Sequence, residues 1–265
     1  LMSRVTKMLK LPNVTGYIVA GIIIGPYCLK IVPTNVVQGM SFLADIALAF
    51  IAFSTGEFFK LSTLKKNGGK NIVITVFEAL LASILVFFVM YFALKMSLAF
   101  SIVLASLAAA TAPASTMMTI RQTGAHGDFV DTLLQVVALD DVVGLIAFSV
   151  AIAVATASLS GQITAKNILL PIVYNLVAFV VGGVLGFILK LLISNRSSDN
   201  RLIIAVAIIF TFCGICTFMD VSPLLGCMAM GTVYRNASGD DKLFKQLNYF
   251  TPPILLLFFV RSGVN

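Results

Sequence analysis

The chain has 265 residues, of which 59% are hydrophobic and 11% are charged, and its mean hydropathy is +1.04. A soluble domain carries about a quarter charged residues, so this composition excludes a soluble globular protein and indicates a polytopic membrane protein in contact with the lipid bilayer. The net charge of +7 does not indicate nucleic acid binding, because the basic residues lie between apolar runs instead of forming one basic face. The sequence contains no Walker A phosphate loop, so neither a nucleotide partner nor a cofactor is predicted.

Apolar runs of about 20 residues predict membrane-spanning helices. Nine such spans are predicted, at 12–32, 38–59, 71–94, 97–121, 131–157, 167–193, 201–219, 221–235 and 251–265. Residues 1–11 are predicted to be the end of a preceding span and a basic loop. We therefore expect the sequence to be cut at its amino-terminal end.

The basic residues test this number of spans. Of the 18 Lys and Arg residues, Arg261 lies inside the last predicted span, three (Lys30, Lys95 and Lys166) lie in loops on one side, and the remaining fourteen lie on the other side. Loops rich in Lys and Arg stay in the cytoplasm. The sequence therefore predicts a multi-pass membrane protein with its basic loops in the cytoplasm.

The first and eighth predicted spans share a pattern. Gly16 and Gly21 in LPNVTGYIVAG recur 210 positions later as Gly226 and Gly231 in VSPLLGCMAMG. The first span runs outward and the eighth runs inward, so the two units are inverted. Inverted repeats are the architecture of many secondary transporters.

The second and ninth spans extend this repeat, since Gly56 in FSTGEF and Gly263 in FVRSGV are offset by 207 positions. The predicted organisation is a first repeat at 12–157, a linker helix at 158–200 and the start of a second, inverted repeat at 201–265. Because the second unit matches only the beginning of the first, we expect the sequence to be cut at its carboxyl-terminal end as well.

The fourth span contains AAATAPASTMM, with Pro113 at mid-span among Thr111, Ser115 and Thr116. Proline removes a backbone donor and clashes with the preceding turn, which predicts a discontinuous helix. Irregular backbone at membrane depth is tolerated where it is buried in protein or lines a watery cavity. The hydroxyls and freed carbonyls are therefore predicted to support an ion site, with an ordinary packing kink as the alternative.

Asp140 and Asp141 lie near the middle of the fifth span, about 15 Å deep by helical rise. A charged side chain costs about 2.5–3.5 kcal/mol at that depth even on the lenient insertion scale, so the pair predicts an ion or proton site. Adjacent helical residues point about 100° apart, so the two carboxyls are expected to have different partners. A structural ion pair is the alternative.

These segments resemble the bacterial cation:proton antiporters of the Kef and NapA type. The resemblance rests on LPNVTGYIVAGIIIGP, the span-two ending STGEF, the TAPAST break and above all VVALDDVVGLIAF, and it covers essentially the whole chain. It implies a prokaryotic inner or plasma membrane, about thirteen spans, a homodimer, and a core domain that moves against a dimerisation domain. By position, Asp141 matches the essential ion-binding carboxylate, Asp140 its partner, and Thr111 to Thr116 the unwound crossing helix.

Two further charged residues lie inside predicted spans. Arg261 is a candidate counter-charge for Asp140, Glu57 or Asp45, and the alternative is that it extends to the membrane surface. Glu78 lies about 10 Å into the third span by helical rise. It is a candidate for a cytoplasmic funnel or a pH-sensing group, with structural pairing as the alternative.

The sequence thus predicts an all-α membrane antiporter, not an enzyme, that exchanges Na+ or Li+ for protons by alternating access and is electrogenic. Asp141 would bind the cation transiently, in competition with a proton. A K+/H+ exchanger of the same fold is one alternative. A gated ion channel and a non-transporting membrane sensor are the others.

Overall fold

The computed structural model describes residues 6, 8, 11–59, 61–111, 113–160, 165–194, 196–219 and 221–264. This part of the chain is helical and contains no β-strand. Its helices are α1 (Asn13–Ile24), α2 (Thr34–Gly39), α3 (Ser41–Thr55), α4 (Leu61–Phe88), α5 (Leu98–Leu107), α6 (Pro113–Thr123), α7 (Asp128–Ser160), α8 (Ala165–Ile193), α9 (Ser198–Phe218), α10 (Leu224–Ser238), α11 (Lys242–Phe250) and α12 (Pro252–Val264). A 3-10 turn (Gly56–Phe58) extends α3, and a π turn (Val89–Ala93) extends α4.

Several helices differ in length from the predicted spans. In the described residues, four helices are long and apolar enough to cross a membrane alone: Gly69–Ala93, Asp128–Thr156, Val173–Ile193 and Ser198–Phe218. α1 ends at Ile24 instead of continuing to residue 32, because the following Gly25 and Pro26 do not favour helix continuation. The sequence analysis missed α11, an amphipathic helix that meets α12 at a bend of 47°.

The helices pack as two bundles. α7 packs against α4 and α5, and α6 joins them, whereas α10 packs against α3 and α8, and α12 packs against α1. α8 contacts α7 as well as α9 and α10, so it connects the two bundles. The discontinuous pair α5 and α6 thus lies in the same bundle as the helix that carries the two aspartates.

Glycine contacts bring the repeated segments together in two equivalent crossings. In the crossing of α1 with α12, a Cβ on Gly21 would lie 3.0 Å from the Cα of Gly263. Where α10 crosses the end of α3, a Cβ on Gly56 would lie 2.8 Å from the carbonyl carbon of Gly231. The sequence offsets relate Gly21 to Gly231 and Gly263 to Gly56, so each contact is the counterpart of the other.

Aromatic side chains fill the core between α3, α10 and α11. Phe53 stacks on Phe244 with ring centroids 5.4 Å apart, and Tyr234 lies 5.9 Å from the Phe244 ring. All three side chains are buried. Burying an aromatic side chain removes a large apolar area from solvent, so this cluster fixes α11 against α3.

Ion pairs stabilise the carboxyl-terminal end of α10 and the loop that follows it. Nη1 of Arg201 lies 2.7 Å from Oδ2 of Asp240, and Arg235 pairs with Asp241. Burial raises the pKa of Asp240, but hydrogen bonds from the Lys242 backbone amide and from Arg201 outweigh it and hold this pKa below its usual value. Asp240 therefore stays ionised at neutral pH.

The side chain of Asn236 bridges the connection between α3 and α4. Its Nδ2 donates to the carbonyl of Phe59 at 2.7 Å, and its Oδ1 accepts from the backbone N–H of Leu61 at 2.8 Å. Both bonds join α10 to the point where the chain passes from one bundle to the other. Asn236 thus positions the start of α4.

Asn236→Ala is expected to lower the free energy of unfolding by about 1–2 kcal/mol, because the amide of Leu61 and the carbonyl of Phe59 lose their side-chain partner. Thermal unfolding of the purified protein in detergent measures the change. Asn35→Ala is the matched control, since Asn35 only accepts a hydrogen bond from the adjacent Val36 amide. Equal melting temperatures for the two variants would contradict the role of Asn236.

Candidate ion-binding site

The two aspartates of α7 lie in different environments. Asp140 is fully buried, at 0% exposure, whereas Asp141 is half-buried. Asp140 is twelve positions into α7, about 18 Å from its first residue by helical rise. The pair is therefore deep in the longest helix, and only one of the two carboxyls is enclosed by protein.

The predicted break in the fourth span is confirmed. α5 ends at Leu107 and α6 begins at Pro113. The amides of Ala109 and Ala110 bond to carbonyls only three residues back, which tightens and ends α5. Pro113 occupies the first position of α6, where the fixed φ of proline suits a helix and its missing N–H costs little.

Asp140 accepts hydrogen bonds from the break. The hydroxyl of Thr111 donates to Oδ2 of Asp140 at 2.8 Å, and the backbone amide of Thr111 also donates to this carboxyl. One turn further along α7, a Cβ on Gly144 would lie 3.0 Å from the Cβ of Ala110. The face of α7 that carries Asp140 and Gly144 thus packs closely against the break between α5 and α6.

The second neighbour of Asp140 is Glu78 of α4. The side chain of Glu78 is exposed at the surface of α4, yet its carboxyl lies within hydrogen-bonding reach of Asp140. Oδ1 of Asp140 is buried and has no hydrogen-bond partner among the described residues. Because two ionised carboxylates are both acceptors, a hydrogen bond between them requires a proton on one of them.

A second polar pair joins the same two helices. Nδ2 of Asn71 on α4 donates to Oε1 of Gln135 on α7, and both side chains are buried. The sequence analysis did not single out this pair. Its signal was the recurrence of Asn71, Thr75 and Glu78, three and four residues apart, on one face of the largely apolar second part of α4.

Asp141 differs from Asp140 in its contacts. Within the described part of the chain, no side chain forms an ion pair or a hydrogen bond with its carboxyl. Ser115 and Thr116 lie in the first turn of α6 and are half-buried. Among the described residues, Asp141 is thus the aspartate of the pair that has no hydrogen-bonded or ion-paired side chain.

Arg261, the candidate counter-charge, lies in the last turn of α12. The two ion pairs between described residues involve other arginines. The Nε of Arg261 is buried and has no acceptor among the residues that the structure covers. Its predicted role as a counter-charge remains a prediction.

Thr111→Val is expected to lower the free energy of unfolding by about 2 kcal/mol. Valine has nearly the same shape as threonine but no hydroxyl, so the buried carboxyl of Asp140 loses a hydrogen-bond donor. Thr111→Ser keeps the hydroxyl and serves as the control, with a melting temperature close to that of the original protein. Thermal unfolding in detergent compares the two variants. If serine and valine are equally destabilising, the Thr111–Asp140 bond does not hold the break.

The fold is similar to that of solved antiporters. The chain superposes on a structure of the sodium proton antiporter MjNhaP1 from Methanocaldococcus jannaschii at pH 8 with a TM-score of 0.71 and 21% identity. For an electron microscopy structure of the same antiporter, the TM-score is 0.76 and the identity 20%. At this identity the likeness shows the fold alone.

These alignments include 99% of this chain but only 66% and 65% of the two MjNhaP1 chains. Among curated protein sequences, none is significantly similar to this chain. The sequence profile of one family, described as "Sodium/hydrogen exchanger, transmembrane", matches residues 1–265. The chain therefore belongs to the transmembrane sodium/hydrogen exchanger family.

Proposed function

We propose that this protein is a secondary antiporter that exchanges a monovalent cation, Na+ or Li+, for protons, with Asp141 as the exchanging carboxyl. The observation that carries the proposal is the position of Asp141. It is half-buried and deep in a membrane helix, next in sequence to the aspartate that the broken helix contacts, and no described side chain forms an ion pair or hydrogen bond with it. A carboxyl in that position must take its counter-charge from an ion or a proton.

Competition at one carboxyl is sufficient for antiport. Protonated Asp141 is neutral and does not attract a cation, whereas ionised Asp141 does, so each ligand displaces the other. If the site faces the two sides of the membrane in turn, a proton gradient drives the cation in the opposite direction. The hydroxyls of Ser115 and Thr116 on α6 are the oxygen ligands that we assign to the cation, since small hard cations prefer oxygen.

Asp140 has a different role in this proposal. It accepts hydrogen bonds from the hydroxyl and the amide of Thr111, so it holds the break in the position that the cation site requires. Its second neighbour is the carboxyl of Glu78, for which we retain the proposed role of a charge partner or pH-sensing group. Exchange is electrogenic if this pair carries a proton in addition to Asp141.

The assembly and the membrane orientation of the protein are also part of the proposal. We infer a homodimer in a prokaryotic plasma membrane from the resemblance to bacterial antiporters. We infer several spans with cytoplasmic basic loops from the distribution of Lys and Arg. Within the exchanger family we assign it to the Kef and NapA type from its adjacent aspartates. For the two repeats we propose the boundaries 12–157 and 201–265, joined by a linker helix at 158–200.

Transport by the full-length protein in proteoliposomes tests the function. A pH-sensitive dye inside the vesicles reports a preset proton gradient, and addition of Na+ or Li+ is expected to dissipate it. A response to K+ alone would identify a K+/H+ exchanger instead. Cation flux without proton movement would indicate a channel, and no response to any of the three ions would refute antiport.

A further inference from the structure

A cavity that takes no part in the proposed ion site lies between α3 and α9. Its volume is about 430 Å3, and the side chains that line it include Phe42, Asp45, Phe210, Gly214, Thr217 and Phe218. A second cavity of about 300 Å3 shares Asp45 and Thr217 with the first and extends to the start of α10. Both lie at the end of α9 opposite the Arg201–Asp240 ion pair.

The walls of the larger cavity are apolar and open outward. Phe42, Phe210 and Phe218 are 56%, 41% and 91% exposed, respectively. A Cβ on Gly214 would meet no atom within 4 Å, so the glycine leaves space between these rings. On a membrane-spanning helix, an exposed aromatic face of this kind meets lipid acyl chains.

One carboxylate interrupts this apolar surface. Asp45 is half-buried, and in the described residues no side chain forms an ion pair or hydrogen bond with it. Asp45 is the fifth residue of α3, about 6 Å from the first residue of that helix by helical rise. Thr217 is the penultimate residue of α9. The carboxylate therefore lies at the depth of the lipid headgroups instead of the hydrocarbon centre.

We propose that this cavity binds a lipid with a primary ammonium headgroup, of the phosphatidylethanolamine class. The ammonium donates hydrogen bonds to Asp45, the hydroxyl oxygen of Thr217 is a second acceptor, and the acyl chains lie along Phe42, Phe210 and Phe218. A charged donor and a carboxylate complement each other in charge as well as in hydrogen bonding. A choline headgroup has no N–H group, so phosphatidylcholine lacks the hydrogen bond and binds less tightly.

Native mass spectrometry of the full-length protein, delipidated and then titrated with phosphatidylethanolamine or phosphatidylcholine, tests the site. We expect about tenfold tighter binding of phosphatidylethanolamine. Asp45→Asn keeps the shape of the side chain and is expected to abolish this preference. Gly214→Leu keeps the carboxylate but fills the cavity, and it is expected to reduce binding of both lipids.

Asp199→Asn is the matched control, because Asp199 is an exposed acid at the opposite end of α9 and should not change the preference. A photoactivatable phosphatidylethanolamine is expected to crosslink to α3 and α9. Equal binding of the two lipids, a preference that survives Asp45→Asn, or crosslinks that map elsewhere would each overturn the proposal. If the protein is dimeric and the lipid does not crosslink to this cavity, a second copy of the chain covers it instead. That result would also overturn the proposal.

Discussion

Asp141→Asn is expected to reduce cation-dependent proton exchange to the rate of protein-free vesicles. Asparagine has the shape of aspartate but carries no ionisable proton, so the site loses both the charge that attracts a cation and the proton that replaces it. The adjacent Asp140 is already engaged by the Thr111 hydroxyl and lies beside Glu78, so we do not expect it to replace Asp141 in binding the cation. Dye-reported proton flux in proteoliposomes, with Na+ or Li+ as the trigger, measures the loss.

Asp140→Asn is the control that separates the two aspartates. An asparagine at this position can still accept the hydrogen bond of the Thr111 hydroxyl, so the break should persist. We expect this variant to keep part of its exchange activity, with an altered charge stoichiometry that current measurements on solid-supported membranes report. Equal loss of transport in both variants, at unchanged elution profiles, would contradict the division of roles between Asp140 and Asp141.

Gly231→Ala is expected to cause the largest loss of stability among the single substitutions considered. A Cβ at this position would lie 2.1 Å from the carbonyl oxygen of Phe53 and 3.0 Å from its carbonyl carbon. Both are backbone atoms of α3, so a side-chain rotation cannot relieve the clash and the two helices must separate. Overpacking of this kind costs about 3 kcal/mol, which corresponds to a fall in melting temperature of about 5–10 °C.

The equivalent crossing predicts a matching result. A Cβ on Gly21 would lie 2.1 Å from the carbonyl oxygen of Val260, so Gly21→Ala should destabilise the protein by a similar amount. Gly69→Ala is the control, since a Cβ there would meet no atom within 4 Å. Thermal unfolding in detergent compares the three variants. A melting temperature for Gly231→Ala equal to that of Gly69→Ala would show that α3 and α10 do not pack as closely as described.

The glycine crossings illustrate what could be predicted from sequence. The offsets of 210 and 207 positions paired Gly21 with Gly231 and Gly56 with Gly263 before any contact was known. They did not predict that Gly21 meets Gly263 and Gly56 meets Gly231, because an offset relates equivalent residues and not touching ones. Contacts between the two units depend on how the inverted repeats interlock.

Part of the ion site could likewise be predicted from the sequence, and part of it could not. The proline at position 113 predicted the discontinuity, and its location in the sequence placed Thr111 at the same depth as the aspartates. Which aspartate faces Thr111 was not predictable, because the rotation of α7 about its axis depends on packing against α4 and α5. The structure turns Asp140 towards the break, and Asp141 about 100° away from it.

The sequence by itself determined that this protein is helical and lies in a lipid bilayer, that one helix is broken, and that two carboxyls lie near the middle of a span. Each of these follows from local composition and backbone chemistry. Only the tertiary structure decided that Glu78 reaches Asp140, that Asn236 bridges the start of α4, and that Asp45 lines a cavity with α9. These contacts join residues 62 to 177 positions apart. Hydropathy and helical periodicity describe one segment at a time, so they carry no information on which faces of distant helices meet.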